Sequence, residues 1–173
     1  MSDTLITVIA IALAAVLMFV FPLMTMSDRT DDVSQLAVET ATTDFVDEVR
    51  TTGKITPDKY SKFIESIGST GNTYNVEMQV QVLDENPGKK TTQSAKDKIG
   101  ENVYYSVYTS QIEDVLNNNK NYNLKEGDLF SVNVKNTNQT LAQQLKNFFY
   151  TVVGNDTYTI AASHGGMVTA TGK

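Results

Sequence analysis

From Thr4 to Ser27 no side chain carries a charge, and the apolar run Leu5 to Met26 is interrupted only by Thr7, Pro22 and Thr25. As a helix, those 22 residues reach about 33 Å, enough to cross a hydrocarbon core of about 30 Å. Leu5, Ile9, Leu13, Ala14, Val16, Leu17, Val20 and Pro22 are the candidate membrane and assembly residues of this helix. Small residues allow helices to approach closely in lipid, and Ala10, Ala12, Ala14 and Ala15 supply some. A cleavable signal sequence is the competing explanation. It fits less well, because the run exceeds a usual apolar core, Met1-Ser2-Asp3 holds no Lys or Arg, and no small-x-small site follows Phe21. A retained anchor is therefore expected. Asp28, Arg29, Asp31 and Asp32 give the C-terminal flank no cationic excess, so the expected orientation is N-terminus cytoplasmic and remainder extracellular, with the reverse as the alternative because neither flank is strongly basic.

Pro22 lacks an N–H and crowds the carbonyl four residues back, so the sequence predicts a bend or a break there. Beyond the polar run Ser27 to Asp32, Val33, Ala37, Ala41, Phe45 and Val49 recur every four residues, widened by Leu36, Val38 and Val46. This predicts an amphipathic stalk helix to about Thr52, packed on the rest of the chain through those five positions. Asp31, Asp32, Glu39, Asp44, Asp47 and Glu48 are assigned to its solvated side.

Gly53 ends that helix, and Thr56-Pro57 starts another, carrying Tyr60, Phe63, Ile64 and Ile67 inward and closing at Gly68. The period then changes to two. Tyr74, Val76, Met78, Val80 and Val82 alternate with polar residues, predicting a strand buried on one face and hence an antiparallel sheet. A turn at Asn86-Pro87-Gly88 leads into a solvent loop over 89–101. A strand from Val103 to Tyr108 follows, then a short helix capped at Ser110 and ending at Asn117. Phe130, Val132 and Val134 mark a second half-buried strand after the turn Glu126-Gly127-Asp128. A helix bearing Leu141, Leu145, Phe148, Phe149 and Val152 and stopping near Gly154 is predicted next. The last strand, Thr157 to Thr171, should be weakened or bent at Gly165-Gly166. The reading is α+β. A long N-terminal helix carries a small antiparallel β-sheet head packed by short helices, with residues 1–27 the anchor, 28–53 the stalk and 54–173 the head.

Composition sharpens this division. Residues 1–27 hold 20 apolar side chains and the other 146 residues hold 50, so the remainder reads as a water-facing domain. With 14 Lys plus Arg against 20 Asp plus Glu, a net charge of −6 speaks against nucleic acid as a partner. The chain has no Cys and one His, which excludes disulfides and thiol chemistry and disfavours most metal sites. His164 has no partner at a telling spacing and reads as structural. Gly166 to Lys173 lacks the Ser or Thr and the following helix of a phosphate loop, and Asp84-x-Asn86 fails as a calcium loop with Gly88 and Ala95 at ligand positions. No nucleophile and base can be named, so no enzyme, cofactor or small-molecule substrate is expected. Tyr104, Tyr105 and Tyr108 cluster in sequence and form a candidate head interface, since Tyr supplies contact area with a polar end.

An apolar N-terminal helix leading through an amphipathic helix to an α+β head resembles type IV pilin-like proteins. The stretches 44–56 with 69–80, 127–136 and 158–168 resemble the outer domains of TadE-like pilin-related proteins of tight-adherence systems and their mobile-element relatives. That resemblance implies a bacterial surface protein, a subunit or minor component of a filament, secretion or conjugation apparatus, anchored and packed through its N-terminal helix. Membrane and copies of itself or related subunits are the implied partners. A processed pilin has a basic leader ending in Gly and a Glu at the fifth mature position, and neither stands here. Two alternatives follow: a chain starting after processing, or an anchored subunit that is never processed. A different expectation from the same residues is a monomeric anchored module whose head binds a protein, peptide or glycan.

Overall fold

A computed structural model describes residues 2–83, 104–150 and 160–173, with the side chains of 2 and 148–150 outside that description. The turn at Asn86-Pro87-Gly88, the loop 89–101, Val103 and the helix end at Val152 and Gly154 lie outside the described residues, as do the side chains of Phe148 and Phe149. The chain is α+β, and its first element is one helix, α1, Ser2–Thr52. Pro22 sits inside this helix and does not divide it. At about 1.5 Å per residue its 51 residues extend some 75 Å.

Gly53 adopts φ +67°, a left-handed conformation that stops the helix at little cost only for a residue without Cβ. A short strand β1, Lys54–Ile55, follows and pairs antiparallel with β4, Tyr122–Asn123. Helix α2, Pro57–Gly68, starts where the Thr56 side chain accepts a hydrogen bond from the Lys59 N–H. It buries Phe63 and Ile67, while Ile64, expected inward, is left 38% exposed.

The main sheet runs in the order β3-β2-β5-β6, every pair antiparallel, from β2 Tyr74–Leu83, β3 Tyr104–Tyr108, β5 Leu129–Asn136 and β6 Ala161–Met167. Val76, Met78 and Val80 stand opposite Val134, Val132 and Phe130 and form the apolar face. Helix α3, Thr109–Asn117, begins ahead of Ser110, and the Gln111 side chain accepts from the Tyr108 N–H. Helix α4, Leu141–Tyr150, buries Ala142 and Gln143 and leaves Leu141 63% exposed, against the expected pattern.

One core joins the second half of α1 to the sheet and to α2. Phe45 is its hub, stacked on Phe63 at 4.5 Å and edge-on to Phe130 at 6.0 Å. The buried stripe of α1 is Asp31, Ser34, Val38, Thr42, Phe45, Val46 and Val49. This corrects the expected packing set at two positions, since Val33 is 69% exposed and Ala37 is exposed, whereas the half-buried Ala41 packs against the core and Phe45 and Val49 lie within it. A strict four-residue repeat gains about 40° per step on a helix of about 3.6 residues per turn. Steps of three and four, as in 31, 34, 38, 42, 45 and 49, remain on one face. Asp31, assigned to the solvated side, is 5% exposed.

Candidate functional site: the exposed anchor and the base of the head

All eight anchor candidates, Leu5, Ile9, Leu13, Ala14, Val16, Leu17, Val20 and Pro22, lie on α1, and all but the half-buried Val20 are exposed. The helix is long and apolar enough to cross a membrane, and the window that qualifies it has no cover from the rest of the described chain. Apolar residues at this density on every side of a helix suit lipid or other helices rather than water.

Where the apolar run ends, the head begins. Thr140 Oγ1 donates a 2.6 Å hydrogen bond to Asp31 Oδ2, and both side chains are buried. Thr140 also caps α4. Its N–H donates to Gln143 Oε1 at 3.0 Å, and Gln143 N–H donates to Thr140 Oγ1 at 3.3 Å. Further along α1, both the N–H and the carbonyl of Ala161 bond to the Gln35 amide, at 2.9 and 2.6 Å, which ties down the start of β6. Asp31 was not legible as a packing residue, though Thr140-x-x-Gln143 has capping-box spacing that marks its partner.

Ala162, His164 and Gly166 on β6 stand opposite Val134, Val132 and Phe130, which turns them toward α1. His164 Nε2 lies 3.4 Å from Asp47 Oδ1, and Asp47 accepts a 2.7 Å bond from Arg50 Nη1. The Arg50 guanidinium lies over Gly166, where a Cβ would come within 2.6 Å of Cζ, and Arg50 Nε donates to the Met167 carbonyl at 2.9 Å. Gly165-Gly166 does not interrupt the strand, which runs through both. The missing side chains let Ser131 and Arg50 close on its two faces.

The three tyrosines of β3 are 39%, 51% and 59% exposed at Tyr104, Tyr105 and Tyr108. They do not share one surface. Strand alternation puts Tyr104 and Tyr108 on the outer face with Ser106, while Tyr105 pairs opposite Val82 on the other. The outer face carries a polar cavity of about 550 Å³ lined by Glu77, Gln79, Tyr108, Ser131, Asn133 and Ser163 among others. Glu77 accepts there from Asn133 and Asn75, both at 3.3 Å. Among the described residues no group of three His, Asp or Glu side chains is placed to hold a metal ion.

Compared with protein-family models, with curated proteins and with solved structures, the chain matches none.

Proposed function

We infer that this protein is a membrane-anchored structural subunit, a pilin-like component of a bacterial surface filament or of a secretion or conjugation apparatus. The observation that carries the reading is the division of one unbroken helix. Its first part is apolar and uncovered, and its second part is built into the core of an α+β head. Such a helix transmits position directly from the lateral packing of anchors to the arrangement of heads. The anchor is single-pass, with the N-terminus on the cytoplasmic side and the head outside, and neighbouring anchors pack through faces that include Ala14 and Val16. Val33, Ala37 and Leu36 extend the uncovered apolar surface beyond the span and offer a neighbour further contact.

The test is intact mass, N-terminal sequence and crosslinking of the natively expressed membrane fraction. Crosslinked ladders that Ala14→Leu or Val16→Asp abolishes, with the head still folded, are the expected result. A full-length monomer that never crosslinks would instead favour an anchored binding module, for which the polar cavity around Glu77 and Tyr108 is one available surface. A chain trimmed beyond Met26 and found in the medium would end both readings.

A further inference from the structure

The head is not held clear of the apolar part of α1. Thr140 meets Asp31, and at the next turns of α4 Lys146 Nζ reaches Asp28 Oδ1 at 2.6 Å, so α4 follows α1 back toward its apolar half. At about 1.5 Å of rise per residue, Asp28 lies only about 3 Å beyond Met26. A cleft of about 440 Å³ separates the two elements there. Leu23 and Met26 wall it on one side, and Thr70, Asn138 and Leu141 wall it on the other. The apolar residues of both walls are open: Leu23 is 49%, Met26 69% and Leu141 63% exposed. Leu23 belongs to the uncharged run whose length matches a bilayer core, and Leu141 lines the same cleft.

We propose that this end of the head is a phospholipid-binding foot, in which Leu141 at the start of α4 enters the boundary between acyl chains and headgroups. The proposal rests on the membrane-anchor reading above. Lipid, rather than a second copy of the chain, is the occupant because the cleft is continuous with the membrane span. No cationic excess stands near the cleft: Lys146 pairs with Asp28, Arg29 lies in sequence among Asp28, Asp31 and Asp32, and the Asp31 carboxylate accepts from the neutral Thr140 hydroxyl. Without a cationic excess, binding follows apolar area and does not select anionic headgroups.

The chain has no Cys, so one introduced Cys carries a fluorophore at a single place. The full chain is reconstituted in phosphatidylcholine vesicles doped with a nitroxide-bearing phosphatidylcholine and labelled at Leu13→Cys, Leu141→Cys or Glu126→Cys. Glu126 lies at the far end of the head, where its N–H meets Thr171 and the neighbouring Leu124 meets Gly53. Lipid-borne quenching several-fold stronger at 13 and 141 than at 126, unchanged on adding phosphatidylglycerol, is expected. An unquenched label at 13 would remove the anchor reading itself. Quenching at 13 with a label at 141 behaving like that at 126 overturns the foot alone, as does a label at 141 shielded from both lipid and aqueous quenchers, which indicates a protein neighbour. To guard against a label that inserts by itself, Leu141→Asp is combined with a label at Gln144→Cys. Loss of lipid quenching there, with the near-UV tyrosine signal retained, supports the proposal, and unchanged quenching overturns it.

Discussion

Asp31 and Thr140 lie 109 residues apart in sequence and share a buried 2.6 Å hydrogen bond that fixes α4 to the side of α1. The Thr140 hydroxyl donates to Asp31 while accepting from Gln143, so the same oxygen couples the helix cap to the long helix. Removing one partner of a buried hydrogen bond leaves the other unsatisfied, at a cost of about 1–3 kcal/mol. Asp31→Ala is expected to lower head stability by that amount, and Asp31→Asn by less, because the amide oxygen still accepts. Chemical denaturation in detergent, followed by near-UV circular dichroism, measures both. Equal losses for the two variants would show that the hydrogen bond is not what position 31 contributes.

Two glycines make predictions of different size for the same substitution. A Cβ at Gly53 strikes the Ala170 carbonyl and the Gly172 nitrogen, both backbone, at a φ of +67°. Gly53→Ala is therefore expected to destabilise by roughly 2–4 kcal/mol. At Gly166 the obstacle is the end of the Arg50 side chain, which can swing away at the cost of its bond to Met167. Gly166→Ala should lose only about 0.5–1.5 kcal/mol. Thermal melts of the two variants beside the parent chain decide the ranking.

Alkaline pH should loosen the head through Tyr60. Burial, and then the 2.6 Å hydrogen bond to Glu113 and its charge, hold the Tyr60 hydroxyl well above its ordinary value near 10. In the unfolded chain Tyr60 deprotonates near pH 10, whereas in the folded chain it keeps its proton. The unfolded state therefore binds fewer protons above that pH, and stability falls as pH rises further. Below pH 10 the contribution is fully present. Tyr122 is raised in the same direction by burial, with Tyr105 and Asp128 adding to it. Melts from pH 8 to 11 should show this decline, and Tyr60→Phe should flatten it while lowering stability at neutral pH by about 1 kcal/mol. An undiminished slope in Tyr60→Phe would assign the alkaline loss to other groups.

The buried stripe of α1 predicts a sharp contrast between neighbours. Val38 is fully buried in the core and Val33 is 69% exposed. Val38→Asp places an unpaired carboxylate in the core and should unfold the head, a loss above about 4 kcal/mol. Val33→Asp should change head stability by no more than about 0.5 kcal/mol. Hydrogen exchange of the β2 and β5 amides distinguishes the two, since these strands form the centre of the sheet.

Elements with a local signal are legible directly in the order of the residues. The uncharged run to Ser27 marks the apolar helix, the period-two stretches mark β2 and β5, and Thr56-Pro57 and Gly53 mark a helix start and a helix stop. Each depends on backbone preference and on spacing within a few residues, which a single chain displays openly. Which side of residues 31–52 is buried follows from long-range packing, because small differences between four-residue and mixed three-and-four spacing turn a stripe by a large angle over several turns. That packing alone placed a carboxylate, Asp31, in that stripe, since the partner that makes its burial tolerable is supplied from the far end of the chain. The order β3-β2-β5-β6 and the bed that Gly166 makes for Arg50 belong to the same class. They are set by which surfaces meet between residues far apart in sequence, and no local period encodes that meeting.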